Sequence, residues 1–149
     1  MFKNNIWSDY TGITDEDLTA IKKEYNFKFP EDLKEFYLTY NGGNLEKKEV
    51  CLQKGDWISF IRFHGFYSIK KGYSILENKL KINYLDDWWI KWLIPFGYDE
   101  GGNEFCFSTR DYEYGCIYYF LSDDYDEDYP DDSIIKVGEN FTDFINSMK

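Results

Sequence analysis

Ile94 to Ser108 reads IPFGYDEGGNEFCFS. Two apolar runs, Trp92 to Tyr98 and Phe105 to Phe107, flank a short loop centred on Gly101-Gly102, which is the pattern of a β-hairpin. The loop also carries Asp99, Glu100 and Glu104, carboxylates that can serve a site as readily as a turn. Pro95 has no N–H to give to a ladder. That favours an edge or strand-start position and leaves the middle of the sheet to Gly115 to Leu121, an unbroken apolar run. Adjacent strand residues point to opposite faces, so Asp99 and Glu100 do not make an acid–base pair and read instead as part of an acidic face.

Upstream of the hairpin the chain is helical first. After a lead-in over residues 1–12 anchored by Trp7, Thr14 stands three residues before Asp17, and Ile13 and Leu18 have the spacing of a hydrophobic staple. A first helix therefore starts here, with Leu18, Ile21 and Tyr25 on one face. Asn26 to Phe29 is an extended link, and Pro30 suits the first position of a second helix. Leu33, Phe36, Tyr37 and Tyr40 follow at the spacing of a stripe packed on a core, and Asn41-Gly42-Gly43 stops the helix with residues that accept the left-handed conformation. Val50 to Leu52 and Trp57 to Phe63 read as strands joined by Lys54-Gly55-Asp56. Tyr73, Leu76, Leu80 and Tyr84 recur at helical spacing and predict a third helix over roughly 70 to 85. Trp88, Trp89 and Trp92 are too close in sequence to share one direction, so at least one reaches the surface.

Downstream, Asp123, Asp124, Asp126, Glu127, Asp128, Asp131 and Asp132 repel one another and argue for a solvated loop. Ile134 to Val137 is a last short strand, and Val137, Phe141, Phe144, Ile145 and Met148 share the face of a closing helix. No repeat or linker divides the chain, so the 149 residues form a single α+β domain. Such a length buries roughly two-thirds of the unfolded chain's surface and needs no metal or disulfide staple.

The net charge of −11 is unevenly placed: residues 1–75 hold 11 acidic and 11 basic side chains, whereas residues 76–149 hold 17 and 6. A field of that sign repels nucleic acid and anionic lipid and attracts a basic protein surface, although simple solubility is an equally good reading. Aromatic residues make up 21% of the chain, more than a core usually absorbs, so some lie at the surface. Trp and Tyr are common interface anchors, and acids around them select a basic partner. The absence of a signal-peptide core and of any apolar run of membrane-spanning length predicts a cytoplasmic protein without membrane contact. Cys51, Cys106 and Cys116 lack zinc-type spacing and read as reduced thiols, although strands at 105–108 and 116–121 would bring Cys106 and Cys116 near each other if they pair.

Chemistry beyond binding finds little support in the residues. His64 is the single histidine, which excludes a site with two His ligands and weakens every His-dependent triad. No glycine-rich phosphate signature is present. The loop from Asp123 to Asp132 is rich in oxygen ligands but lacks the glycine and terminal Glu of an EF-hand. No nucleophile stands beside a base, so no enzyme activity, cofactor or metal is expected.

The order of these features carries a resemblance. FKFPEDLKEFYLTYNGG from Phe27 to Gly43, P-x-G-x-D-x-G-G-N between Pro95 and Asn103, GCIYYF from Gly115 to Phe120, and a final helix with Phe141-Thr142-Asp143-Phe144-Ile145 together resemble the SUKH superfamily. That group contains yeast cell-wall-assembly regulators and many bacterial immunity proteins. The resemblance implies an antiparallel sheet with helices packed around it, no catalysis, and an immunity protein that binds and neutralises a cognate polymorphic toxin. Pro30, Asn41, Gly42, Gly43, Pro95, Gly101 and Gly102 are then determinants of the fold. With the acidic second half, the expected partner is a basic, nuclease-type toxin domain, met through Asp86, Asp87, Trp88, Trp89, Asp99, Glu100, Asp123, Asp124, Asp126, Glu127 and Asp128. The chain itself is expected to be a monomer or weak dimer. A regulatory or scaffold domain without a toxin partner is the alternative.

Overall fold

The computed structural model describes residues 2–8, 13–70 and 75–149. A short strand β1 (Ile6–Trp7) precedes helix α1 (Asp15–Tyr25), helix α2 (Glu31–Tyr40) and strand β2 (Asn44–Leu45), which pairs antiparallel with β1. The main sheet follows: β3 (Glu49–Lys54), β4 (Trp57–Phe66), β5 (Leu93–Asp99), β6 (Glu104–Ser108), β7 (Ile117–Phe120) and β8 (Ile134–Gly138) lie in sequence order, every pair antiparallel. Between β4 and β5 stand α3 (Leu76–Lys79) and a π-helical turn (Leu80–Tyr84), and α4 (Phe141–Ser147) ends the chain. Among the described residues no helix is long and apolar enough to cross a membrane.

α1 begins where the capping pattern places it. Asp17 N–H donates to Thr14 Oγ1 at 3.4 Å and Thr14 N–H to Asp17 Oδ2 at 2.8 Å, while Ile13 and Leu18 are both buried. Thr14→Ala removes one acceptor for the first turn and should cost about 1 kcal/mol, read as a melting point lower by about 2–4 °C. α2 buries Leu33, Phe36 and Tyr37, but Pro30 sits one position earlier than expected, as the N-cap with extended ψ. Asn41 ends the helix at φ +49°, and its Oδ1 accepts the Ile69 N–H at 2.7 Å, so the cap also ties α2 to the segment that follows β4. Gly43 follows at φ +118°, where an added Cβ would stand 2.2 Å from the Trp7 carbonyl oxygen. Only glycine lets β1 cross the end of α2 this closely.

Trp7 does not anchor the lead-in; it is 56% exposed. Phe2 does so instead, packing edge-on against Phe36 and Phe141. Asn4 adds a second anchor, its side chain exchanging hydrogen bonds with the Lys47 backbone at 2.7 and 2.9 Å. The third helix is shorter than the spacing predicts. Ile75 is still extended, helix begins at Leu76, and Tyr73 lies outside the described residues. Val137 belongs to β8, not to the closing helix, which starts at Phe141 behind the Asn140 cap.

The hairpin Ile94 to Ser108 forms as β5 and β6, but the expectation that Pro95 takes an edge or strand-start position and leaves the middle of the sheet to Gly115 to Leu121 is overturned: Pro95 is the third residue of β5, β5 and β6 hold the middle, and β7 lies next to the last strand. β5 lies between β4 and β6. Pro95 faces Cys106, and the register then shifts so that Gly97 faces Phe105; this bulge accommodates the missing N–H. Gly97 is required there, because a Cβ would meet the Phe63 ring at 2.7 Å. Cys106 pairs across strands with Tyr118, two residues from Cys116, and all three cysteines are free.

Alternation along the strands gives the sheet two unlike faces. The inner face carries Phe63, Phe96, Phe105 and Phe107, and α2 and α4 cover it with Phe36, Phe141 and Phe144. On the outer face, Glu104, Phe120 and Tyr118 lie beneath the segment from Leu76 to Trp92, while among the described residues no such segment covers β3 and β4. Glu49 at the β3 edge exchanges backbone hydrogen bonds with Lys149, and Lys54 reaches the Asp131 carbonyl, which blunts that edge against further pairing.

Candidate protein-binding surface

β5 and β6 turn over at the same end of the sheet where β7 runs out into the acidic loop, because Glu104 faces Phe120 in register. Trp89 and Tyr125 pack on Phe120 with ring centroids at 5.0 and 5.7 Å. The turn holding Asp86, Asp87 and Trp88 therefore borders the same end as Asp123 to Asp128. Glu100 joins them from the β5–β6 turn, exposed and 3.9 Å from His64 Nδ1. Asp86, Asp87, Glu100, Asp123, Asp124, Asp126, Glu127 and Asp128 are all exposed. The loop is held at its base: Leu121 N–H donates to the Ser133 carbonyl at 2.9 Å and Ser133 Oγ to the Asp124 carbonyl at 3.0 Å.

The aromatic side chains beside these acids divide by depth. Trp89 is buried, with its indole N–H on the Leu93 carbonyl at 2.9 Å, so it supports the surface and is not presented on it. Trp88 is half-buried, its N–H on Asp86 Oδ2 at 3.2 Å, and Tyr125 is half-buried as well. Tyr129 stands exposed on the acidic loop. Trp92 lies under the Arg110 guanidinium at 3.5 Å, and Arg110 in turn pairs with Glu113 at 2.7 Å. Rigid aromatics with two side-chain torsions beside solvated carboxylates give contact area at low entropic cost and a field that selects cations.

Asp99 is not part of that surface. Its carboxylate turns inward and accepts the Asn103 N–H at 2.9 Å and the Tyr119 hydroxyl at 2.5 Å, while Asn103 Nδ2 donates to the Tyr119 oxygen at 3.0 Å. Burial, first, and the Asp99 carboxylate, second, hold the Tyr119 pKa well above its ordinary value, so the hydroxyl stays a donor. Asp99 thus pins the turn on which Glu100 is displayed.

Glu104 is the group that sequence reasoning left without a role. It is 1% exposed on the outer face, its Oε1 2.5 Å from Lys79 Nζ and its Oε2 accepting the Tyr67 hydroxyl at 2.6 Å. Burial raises its pKa above the ordinary carboxylate value, against the opposing pull of Lys79 and Tyr67. A signal for the partner did exist: Lys79 stands three residues from Leu76 and next to Leu80 on an otherwise inward stripe. Among the described residues, no three His, Cys, Asp or Glu side chains converge in a way that suits a metal ion.

No curated protein matches the chain. The sequence model of one family, however, matches residues 12–147, and its span takes in α1, the helix ending at Asn41, the whole six-stranded meander and α4. The chain belongs to the SMI1 / KNR4 family (SUKH-1).

Proposed function

We propose that this protein is an immunity protein that neutralises a protein toxin, of nuclease type with a basic surface, by covering it with the acidic end of the sheet. Family membership supports protein binding without catalysis. The observation that carries the rest is the gathering of Asp86, Asp87, Glu100, Asp123, Asp124, Asp126, Glu127 and Asp128 at one end, beside the half-buried Trp88 and Tyr125. Asp99 and Trp89 take no part in the contact, being buried. A nuclease that binds nucleic acid must present cations, and a protein that hides them both blocks the substrate and gains from steering.

Co-expression with the protein encoded next to this chain tests the reading: rescue of growth and a purified complex support it. Absence of both turns the assignment to the regulatory alternative. Replacing Asp123, Asp124, Asp126 and Asp128 with Asn should slow association about tenfold or more at low ionic strength and flatten its salt dependence. Stopped-flow mixing reads both quantities, and an unchanged rate removes the loop from the contact.

A further inference from the structure

The outer face of β3 and β4 offers a second surface, unlike the acidic end. Its side chains stand in three cross-strand rows, Glu49 opposite Arg62, Cys51 opposite Phe60 and Gln53 opposite Ile58, and all are exposed. Ile58 and Phe60 are each 56% exposed, neighbours on one strand face where alternation normally places polar side chains toward water. Local charge is balanced here. Glu49 stands beside Arg62, His64 lies near Glu100, and residues 1–75 as a whole carry equal numbers of acids and bases. On a molecule of net charge −11, such a face lets two copies approach with little like-charge opposition. Arg62, in the row at one end of it, makes the same face a poor match for a basic partner.

The rows are also self-complementary. A two-fold axis parallel to the strands lays β4 of one copy over β3 of the other, row on row. Arg62 then faces Glu49, Phe60 faces Cys51 and Ile58 faces Gln53, each contact made twice, as an isologous interface requires. We propose that this face joins two copies of the chain in an isologous dimer. Six residues a side fall well short of the roughly 20–30 of a standard interface, so the dimer is weak, forming between micromolar and millimolar chain. The inference stands apart from the toxin reading and uses none of its residues except Glu100 as a neighbour.

Sedimentation equilibrium of the full chain over that concentration range should show the mass rising from monomer toward dimer. Phe60→Glu should weaken the association at least about tenfold, a loss of roughly 1.4 kcal/mol. Arg62→Glu alone should also weaken it, by setting the introduced carboxylate against Glu49 of the second copy, whereas E49R combined with R62E should restore it. Attaching a bulky maleimide to Cys51, the exposed thiol among the three cysteines, should abolish it. All these positions are exposed, and an unchanged melting curve shows that each variant is folded. A monomer throughout the range overturns the proposal, as does a dimer indifferent to Phe60→Glu or a charge swap that restores nothing. A monomeric chain whose Phe60→Glu variant loses binding to another protein assigns the face to that protein and overturns it equally.

Discussion

Replacing Lys79 with Met should destabilise the fold by about 3–5 kcal/mol at neutral pH, because it strips the cation from a carboxylate that has no access to water. Glu104 is 1% exposed, and among the described residues its partner apart from Lys79 is the Tyr67 hydroxyl, a neutral donor. The loss should depend on pH in a defined sense. Burial raises the Glu104 pKa above the ordinary 4.5 even with Lys79 present. A raised carboxyl contributes its stability fully below the unfolded value and loses it as pH climbs through the folded value. Without Lys79 the folded value rises further, and the window of loss extends toward neutrality. Urea titrations of K79M should therefore show a small deficit in acid and a large one at neutral pH. Glu104→Gln in the same background should recover most of it, since a neutral amide needs no cation. Glu104→Gln alone should cost less than K79M, because Lys79 is 19% exposed and already lies toward the Trp89 ring at 5.9 Å, with water within reach. A K79M deficit independent of pH would locate the loss in packing of the lysine stem and not in charge.

The same pair illustrates where reading from sequence alone stops. Local signals were legible because their physics is local: the Thr14–Asp17 box, the Leu33-to-Tyr40 stripe, the Asn41 stop, the β5–β6 hairpin and the apolar run of β7 each need only neighbours in the chain. Pro95 misled because a bulge two residues long repairs its missing donor, and nothing local distinguishes a repaired interior position from an edge. Trp7 misled because size favours burial on average, whereas here Phe2 and Asn4 reach the core and leave Trp7 on the rim. The acidic end was half legible. Charge density marks Asp123 to Asp128 as solvated, but whether Asp99 turns in or out depends on Tyr119, twenty residues away and two strands over. The bare face of β3 and β4 depends on how far the Leu76–Trp92 segment extends over the sheet, a tertiary matter that periodicity does not encode.

Phe105→Ala should be the most damaging of the core truncations, at the upper end of the roughly 3–5 kcal/mol usual for losing a buried phenyl ring. Phe105 sits on an interior strand, fully buried, with ring centroids of Phe63, Phe144 and Tyr119 at 5.1, 5.4 and 5.2 Å. The strands on either side are held by ladders, so the walls of the cavity cannot close in, and the lost contacts are not recovered. Phe36 provides the comparison. It is buried as deeply, but it lies under the cleft formed by Phe2, Leu38 and Tyr40 at the surface, where those side chains can settle into the space. Phe36→Ala should therefore fall near the lower end of the same range, and denaturant midpoints for the two variants give the difference directly. Phe105→Leu, which keeps most of the volume, should lose less than about 1.5 kcal/mol. The Phe105 cavity should also be felt at the acidic end, since Tyr119 packs on Phe105 and donates to Asp99, which in turn accepts the Asn103 N–H at 2.9 Å. Amide exchange at Asn103 should accelerate in Phe105→Ala by more than the global loss of stability accounts for, whereas in Phe36→Ala, whose ring touches neither Tyr119 nor the turn, it should follow the global loss alone.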